Sequence, residues 1–193
     1  MNKNELQEAR TNPEFLNYLE QTRQDAIATQ NIQALYEVLD SLLILDLEEE
    51  KINSVYEAIL SIAFEQIEII INSGKKLQLK NDELFYVRSF YEHAIEKWSY
   101  NDFKGAKEFF YLLTQFIEDE KLINALKVHL VATALEKNLD EFYSACVNTD
   151  SMELQEAYGY FIMHFQFDID TYLKEHEVRL QQEQQQLSSL LDD

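Results

Sequence analysis

Three glycines and one proline in 193 residues constrain this chain more than anything else in it. Average usage would place about 14 glycines and about 10 prolines in that length. A β-sandwich or barrel turns every ~8–12 residues, and its turns consume both residue types. No segment is read as alternating apolar and polar with period two over a useful length. An all-helical fold needs few of either residue, and all-α is the fold class the sequence predicts.

The start signals support this. Asn12-Pro13-Glu14 supplies a cap, a proline for the first helical position and a first-turn acid, which predicts a helix over 13–29. Asn31 caps a second, with Ile32, Leu35, Leu39 and Leu42 at helical spacing. Acids from Asp46 to Glu50 open a long third helix that closes at Gly74. Residues 77–80 read as a linker. Further helices are expected over 81–100, 101–117, 119–138 and 139–147. Another is expected from Asp150 or Ser151 to Phe167, and a last one from near Asp170. The total is eight to nine helices, arranged as stacked antiparallel hairpins or as an irregular bundle. One all-helical domain is expected over 1–170, with a sub-boundary near 75–81. Residues 171–193 are expected to form a C-terminal helix or a frayed, Gln-rich tail.

Composition narrows the partners. Thirty-six acidic against 16 basic residues give a net charge of -20. Such a chain repels nucleic-acid phosphates and anionic lipid heads, so neither is an expected partner. Basic protein segments are attracted. The most apolar stretch, Val55 to Ile71, is interrupted by Glu57, Glu65 and Glu68, so it reads as a buried helix and not as a span. The first residues show no basic run followed by an apolar one, so no secretory signal is expected. A lone cysteine, Cys146, fits a reducing cytoplasm. No His-Glu-x-x-His and no Glu-x-x-His occurs around His93, His129, His164 or His176. Neither a metal, a cofactor nor catalysis is expected.

One segment carries a resemblance. Ala94, Phe103, Ala106, Phe110 and Leu113 place small residues where two helices approach and aromatics beside them, with Gly105 easing the contact. Asn31, Asn101 and Asn138 fall 70 and 37 residues apart, roughly two units and one unit of a period near 35. Residues 90–113 resemble a tetratricopeptide repeat, possessed also by bacterial chaperones that hold export substrates. The flanking units depart from the pattern: Arg23, Leu130 and Phe142 stand where small residues belong, and the closing proline is absent. The resemblance implies a concave groove lined by Arg88, Tyr91, Ile95 and Trp98, into which a partner segment lays basic or apolar side chains. The alternative for Trp98 is a place in the core. The function expected is a non-catalytic chaperone or adaptor for a basic or amphipathic protein segment. The alternative is a structural protein that self-assembles, as a homodimer or larger, through its C-terminal helix.

Overall fold

The computed structural model describes residues 3–150 and 156–191. Helices are the only regular elements among them, so the fold is all-α. In chain order they are α1 (Lys3–Thr11), α2 (Pro13–Ala28), α3 (Ile32–Ile44), α4 (Glu49–Asn72), α5 (Asn81–Ser99), α6 (Phe103–Phe116), α7 (Glu120–Ala134), α8 (Leu139–Cys146), α9 (Ile169–Glu175) and α10 (Glu177–Leu187). Two 3-10 turns lie at Glu156–Tyr160 and Ser188–Leu191. The chain divides into two compact units, Met1–Ile69 and Ile70–Asp193. The division falls in the last turn of α4, ahead of the sub-boundary expected near 75–81.

The starts are made as the sequence dictates. Asn12, Asn31, Asp102, Asp119, Asn138 and Asp168 each accept a hydrogen bond from a first-turn amide, which satisfies a donor the helix cannot. The ends answer the shortage of glycine. Gln30, Asp46, Asn101 and Glu136 take the left-handed conformation (φ 49–59°) just past a helix, as Gly74 does at 72°. In each of the four, the next amide reaches back to close the last turn, for example Asn31 N to Ala26 O at 2.9 Å and Asp102 N to Lys97 O at 2.9 Å. This closure normally falls to glycine. A residue with a Cβ pays roughly 1–2 kcal/mol there, so tertiary packing must hold these turns.

In the first unit α2 and α3 form a hairpin. Its apolar faces bury Leu19, Leu35, Tyr36 and Leu39, and α4 buries Val55, Ile59 and Ala63. Glu65 and Glu68 are exposed on α4, as a solvated stripe should be.

In the second unit α5 packs on α6 and α6 on α7, and α8 lies against α5. Ala94 and Ala106 are fully buried, as expected of the close approach. A Cβ on Gly105 would lie 2.5 Å from Asp102 Oδ2 and 2.6 Å from Lys97 Cδ, so the two side chains would have to shift to admit one. The 77–80 linker is pinned: Leu77 N donates to Phe116 O (2.7 Å) and Glu118 N donates to Leu77 O (3.1 Å). Helix α7 is buried on nearly every side, which makes it the centre of the unit.

One expectation fails here. The helix expected from Asp150 or Ser151 to Phe167 is not formed over its described part. Residues 156–160 make a 3-10 turn, and 161–168 run without helix, bridged once between Val147 and Phe165; residues 151–155 lie outside the described ones. Of the two forms expected for residues 171–193, a C-terminal helix or a frayed tail, the described residues take the helical one, in α9 and α10. Helix α10 is docked on α6 and α7. Its Glu183 is 3% exposed and takes Lys107 Nζ at 2.7 Å and Arg179 Nη2 at 2.9 Å, while Arg179 also donates to Ala134 O at 2.6 Å.

A buried charge left without its partner is expensive. Glu183→Ala is therefore expected to cost about 3 kcal/mol in urea unfolding, because Lys107 stays buried and unpaired. Replacing both, Lys107→Met with Glu183→Leu, should cost clearly less than the single change.

Candidate functional site: an aromatic hub and the cleft beside it

The face of α5 expected to line a groove is filled by the chain itself. Trp98 is 0% exposed, and its Nε1 donates to Lys137 O at 2.7 Å. Tyr91 is 3% exposed, with the Phe161 ring 5.1 Å away edge-on. Arg88 is 8% exposed; it donates to Glu92 at 2.7 Å, and its guanidinium lies 4.3 Å from the centre of the Tyr160 ring. Ile95 is half-buried. The expected groove of Arg88, Tyr91, Ile95 and Trp98 is thus corrected. The 3-10 turn and the residues after it occupy that face, and Trp98 belongs to the core.

What the four residues border is a hub of rings around His129. Tyr91, Trp98, Phe110, Phe142 and Phe165 all have ring centres within 5.9 Å of its imidazole. Buried polar atoms need partners, and here each finds one. His129 Nδ1 donates to Ala125 O at 2.6 Å, one turn back. That carbonyl can only accept, so the proton sits on Nδ1 and Nε2 is an acceptor. The Tyr91 hydroxyl donates to Nε2 at 3.3 Å and accepts from Ile162 N at 2.9 Å. Burial lowers the His129 pKa to about 4, so the ring is neutral at pH 7. Burial likewise pushes the Tyr91 phenol up.

From Ile162 to Phe165 the chain is extended, and it bends at Gln166 and Phe167. Gln166 N donates to Cys146 O at 2.8 Å, and Asn148 N donates to His164 O at 2.9 Å. Phe165, Phe167, Tyr172 and His176 then stack ring on ring, with centres 5.4, 4.4 and 4.3 Å apart and planes within 28° of parallel. The Tyr172 hydroxyl is buried without a hydrogen-bond partner; burial first, and then the nearby Cys146, push its pKa up to about 12. Cys146 itself is half-buried.

Between this extended segment and α7 lies an open cleft of about 490 Å³. Lys121 and Asn124 of α7 form one wall. Met163, His164, Phe165 and Phe167 form the other, with Asp168, Ile169 and Asp170 at the start of α9. Asp168 caps α9; its carboxyl is held below the usual range by hydrogen bonds from Thr171 Oγ1 (2.7 Å) and Thr171 N (2.9 Å). Lys121 Nζ lies 5.6 Å from the centre of the Tyr158 ring. The cleft therefore offers aromatic and thioether surface with carboxylates at one edge.

The first unit has a smaller cleft, about 180 Å³, lined by Leu16, Leu19, Val38, Leu42 and Leu47. At its rim Arg23 grips Glu20 with two hydrogen bonds (2.7 and 2.9 Å), which lower the Glu20 pKa to about 2. Both charges there are already spent on each other.

Sequence reasoning missed the 161–169 segment, although its signal is present. Phe161, Met163, Phe165, Phe167 and Ile169 alternate with Ile162, His164, Gln166 and Asp168, and all but Ile162 among the alternates are polar. That is period two, the signature of an extended chain with one buried face. Among the described residues no three His, Cys, Asp or Glu side chains converge on a metal-sized site, and no helix is long and apolar enough to cross a membrane. No family model matches the chain, and neither does any curated protein or solved structure.

A histidine kept neutral by burial makes stability depend on pH in a known direction. Its folded pKa lies below the unfolded value of ~6.5, so below that pH the unfolded chain binds a proton the folded one refuses. Stability from this group is complete above ~6.5 and is lost as pH falls toward ~4. Unfolding in urea at pH 7 and pH 5 should show wild type losing about 2 kcal/mol more than His129→Gln does.

Proposed function

We propose that this protein is a non-catalytic protein-binding module, a chaperone or adaptor, that holds a basic or amphipathic segment of a partner protein. The observation that carries the reading is the cleft beside α7, whose aromatic wall ends in Asp168 and Asp170 on a chain of net charge -20. The charge raises the encounter rate with a basic segment. The half-buried Phe167 and Met163 then give its apolar side chains or alkyl stems a surface to cover. The binding surface shifts from the face of α5 to the cleft, because the chain's own residues 156–165 cover α5. On this reading the protein works in the cytoplasm, without a cofactor, and its charge keeps it from nucleic acid.

Self-assembly through the C-terminal helix is the second reading. Its one specific support is the outer side of α10, where Val178 is 70% exposed and Leu191 follows in the last 3-10 turn.

The first reading is tested with an octapeptide alternating Lys and Val, titrated calorimetrically into the full chain. Binding is expected, with Kd rising at least tenfold between 50 and 300 mM salt. Asp170→Lys, at an exposed position, should weaken it about tenfold, and Lys121→Glu should tighten it. Absence of binding, or binding indifferent to salt and to both reversals, would reject the reading.

A further inference from the structure

The extended segment is paired on one side only. The Ile162 amide goes to the Tyr91 hydroxyl, the His164 carbonyl takes the amide of Asn148, and the Gln166 amide goes to the Cys146 carbonyl. The even-numbered residues therefore spend their backbone groups inward. The bridge pairs Val147 with Phe165, and the bonds flanking it make this a non-hydrogen-bonded pair. In such a pair each residue's own N–H and C=O point away from the other strand. The outward groups then belong to Met163 and Phe165. Among the described residues, the backbone N–H and C=O of Met163 and Phe165 make no hydrogen bond, and both residues line the cleft.

An unpaired extended edge is a template for another strand. We propose that the Met163–Phe165 edge is a strand-addition site, at which an extended, basic segment of a partner protein pairs its backbone with Met163 and Phe165 and lies in the cleft against α7. The proposal rests on the preceding reading and specifies how the partner is held. Main-chain hydrogen bonds supply the affinity, and alternate side chains supply the choice of sequence. Side chains on one face of the added strand would cover Phe167 and Met163. A Lys or Arg near its end would meet Asp168 and Asp170. A segment of about three residues spans the edge, at ~3.4 Å per residue. A second copy of this chain is disfavoured as occupant, because two molecules of charge -20 repel each other. The hub makes the edge rigid: the Phe165 ring packs on His129 and Phe142, and Ile162 is tied to Tyr91. An ordered edge spares the partner most of the ordering cost on the protein side.

The experiment uses the full chain and the alternating Lys-Val octapeptide in three forms: unmodified, N-methylated at every Lys, and N-methylated at every Val. Only one set of amides can face the edge. One methylated form should bind at least tenfold more weakly than the parent, and the other within about twofold. Amide exchange by NMR should show Met163 and Phe165 exchanging readily in the free protein and slowed at least tenfold by the unmodified peptide. If the parent binds but both methylated forms match it, or both lose equally, strand addition is wrong while the basic-partner reading stands. If the parent peptide does not bind at all, both fall. Slow exchange at Met163 and Phe165 in the protein alone also overturns the proposal, since the edge would then be paired already.

Discussion

The hydrogen-bonded line from Ile162 through Tyr91 to His129 is the contact on which the second unit depends. It joins three parts of the chain that lie far apart in sequence: α5, α7 and the extended segment before α9. An unpaired phenol or imidazole at such depth would cost several kcal/mol. Here each polar atom has a partner, so the cost becomes a constraint on geometry. The rings of Trp98, Phe110, Phe142 and Phe165 pack around the line, and the Trp98 indole ties the hub to the α7–α8 turn. These rings belong to the core, and Phe165 also lines the cleft.

On the proposed reading, the same contact decides where a partner segment lies. By drawing residues 156–165 onto α5, it closes the face that a repeat of two-helix hairpins would otherwise leave open. It also holds the following residues extended, with one edge bonded to residues 146–148 and the other facing a cleft. A helical protein thereby acquires a short extended run with one unpaired edge. On the proposed reading, the affinity such an edge offers comes from backbone groups, which any sequence possesses, and the carboxylates at Asp168 and Asp170 supply the selectivity for basic segments.

The scarcity of glycine takes on a particular meaning in the structure. The helices end on the usual left-handed residue, but Gln30, Asp46, Asn101 and Glu136 occupy the position in place of glycine. Each pays a steric cost that glycine would not. In return the unfolded chain is stiffer and loses less entropy on folding. Gly105 differs: it lies inside α6 without a positive φ, and only the side chains of Asp102 and Lys97 crowd it.

Local signals in the sequence determined the class of fold and most helix starts. Caps such as Asn12, Asn31, Asp119 and Asn138 act within one turn, so a reader of the chain alone can place them to within a residue or two. The close approach at Ala94, Gly105 and Ala106 was also legible, because both helices and their connection are adjacent in sequence. The fate of α5 was not. Whether Trp98 faces a groove or a core depends on Lys137, Phe142 and Phe165, 39 to 67 residues away, and no local pattern encodes that pairing. The docking of α10 was hidden for the same reason: a Gln-rich helix looks dispensable until Glu183 meets Lys107 across 76 residues. The extended segment stands between the two cases. Its period-two alternation was present but short, and only the tertiary structure, by supplying residues 146–148 on one side and α7 on the other, made it extended.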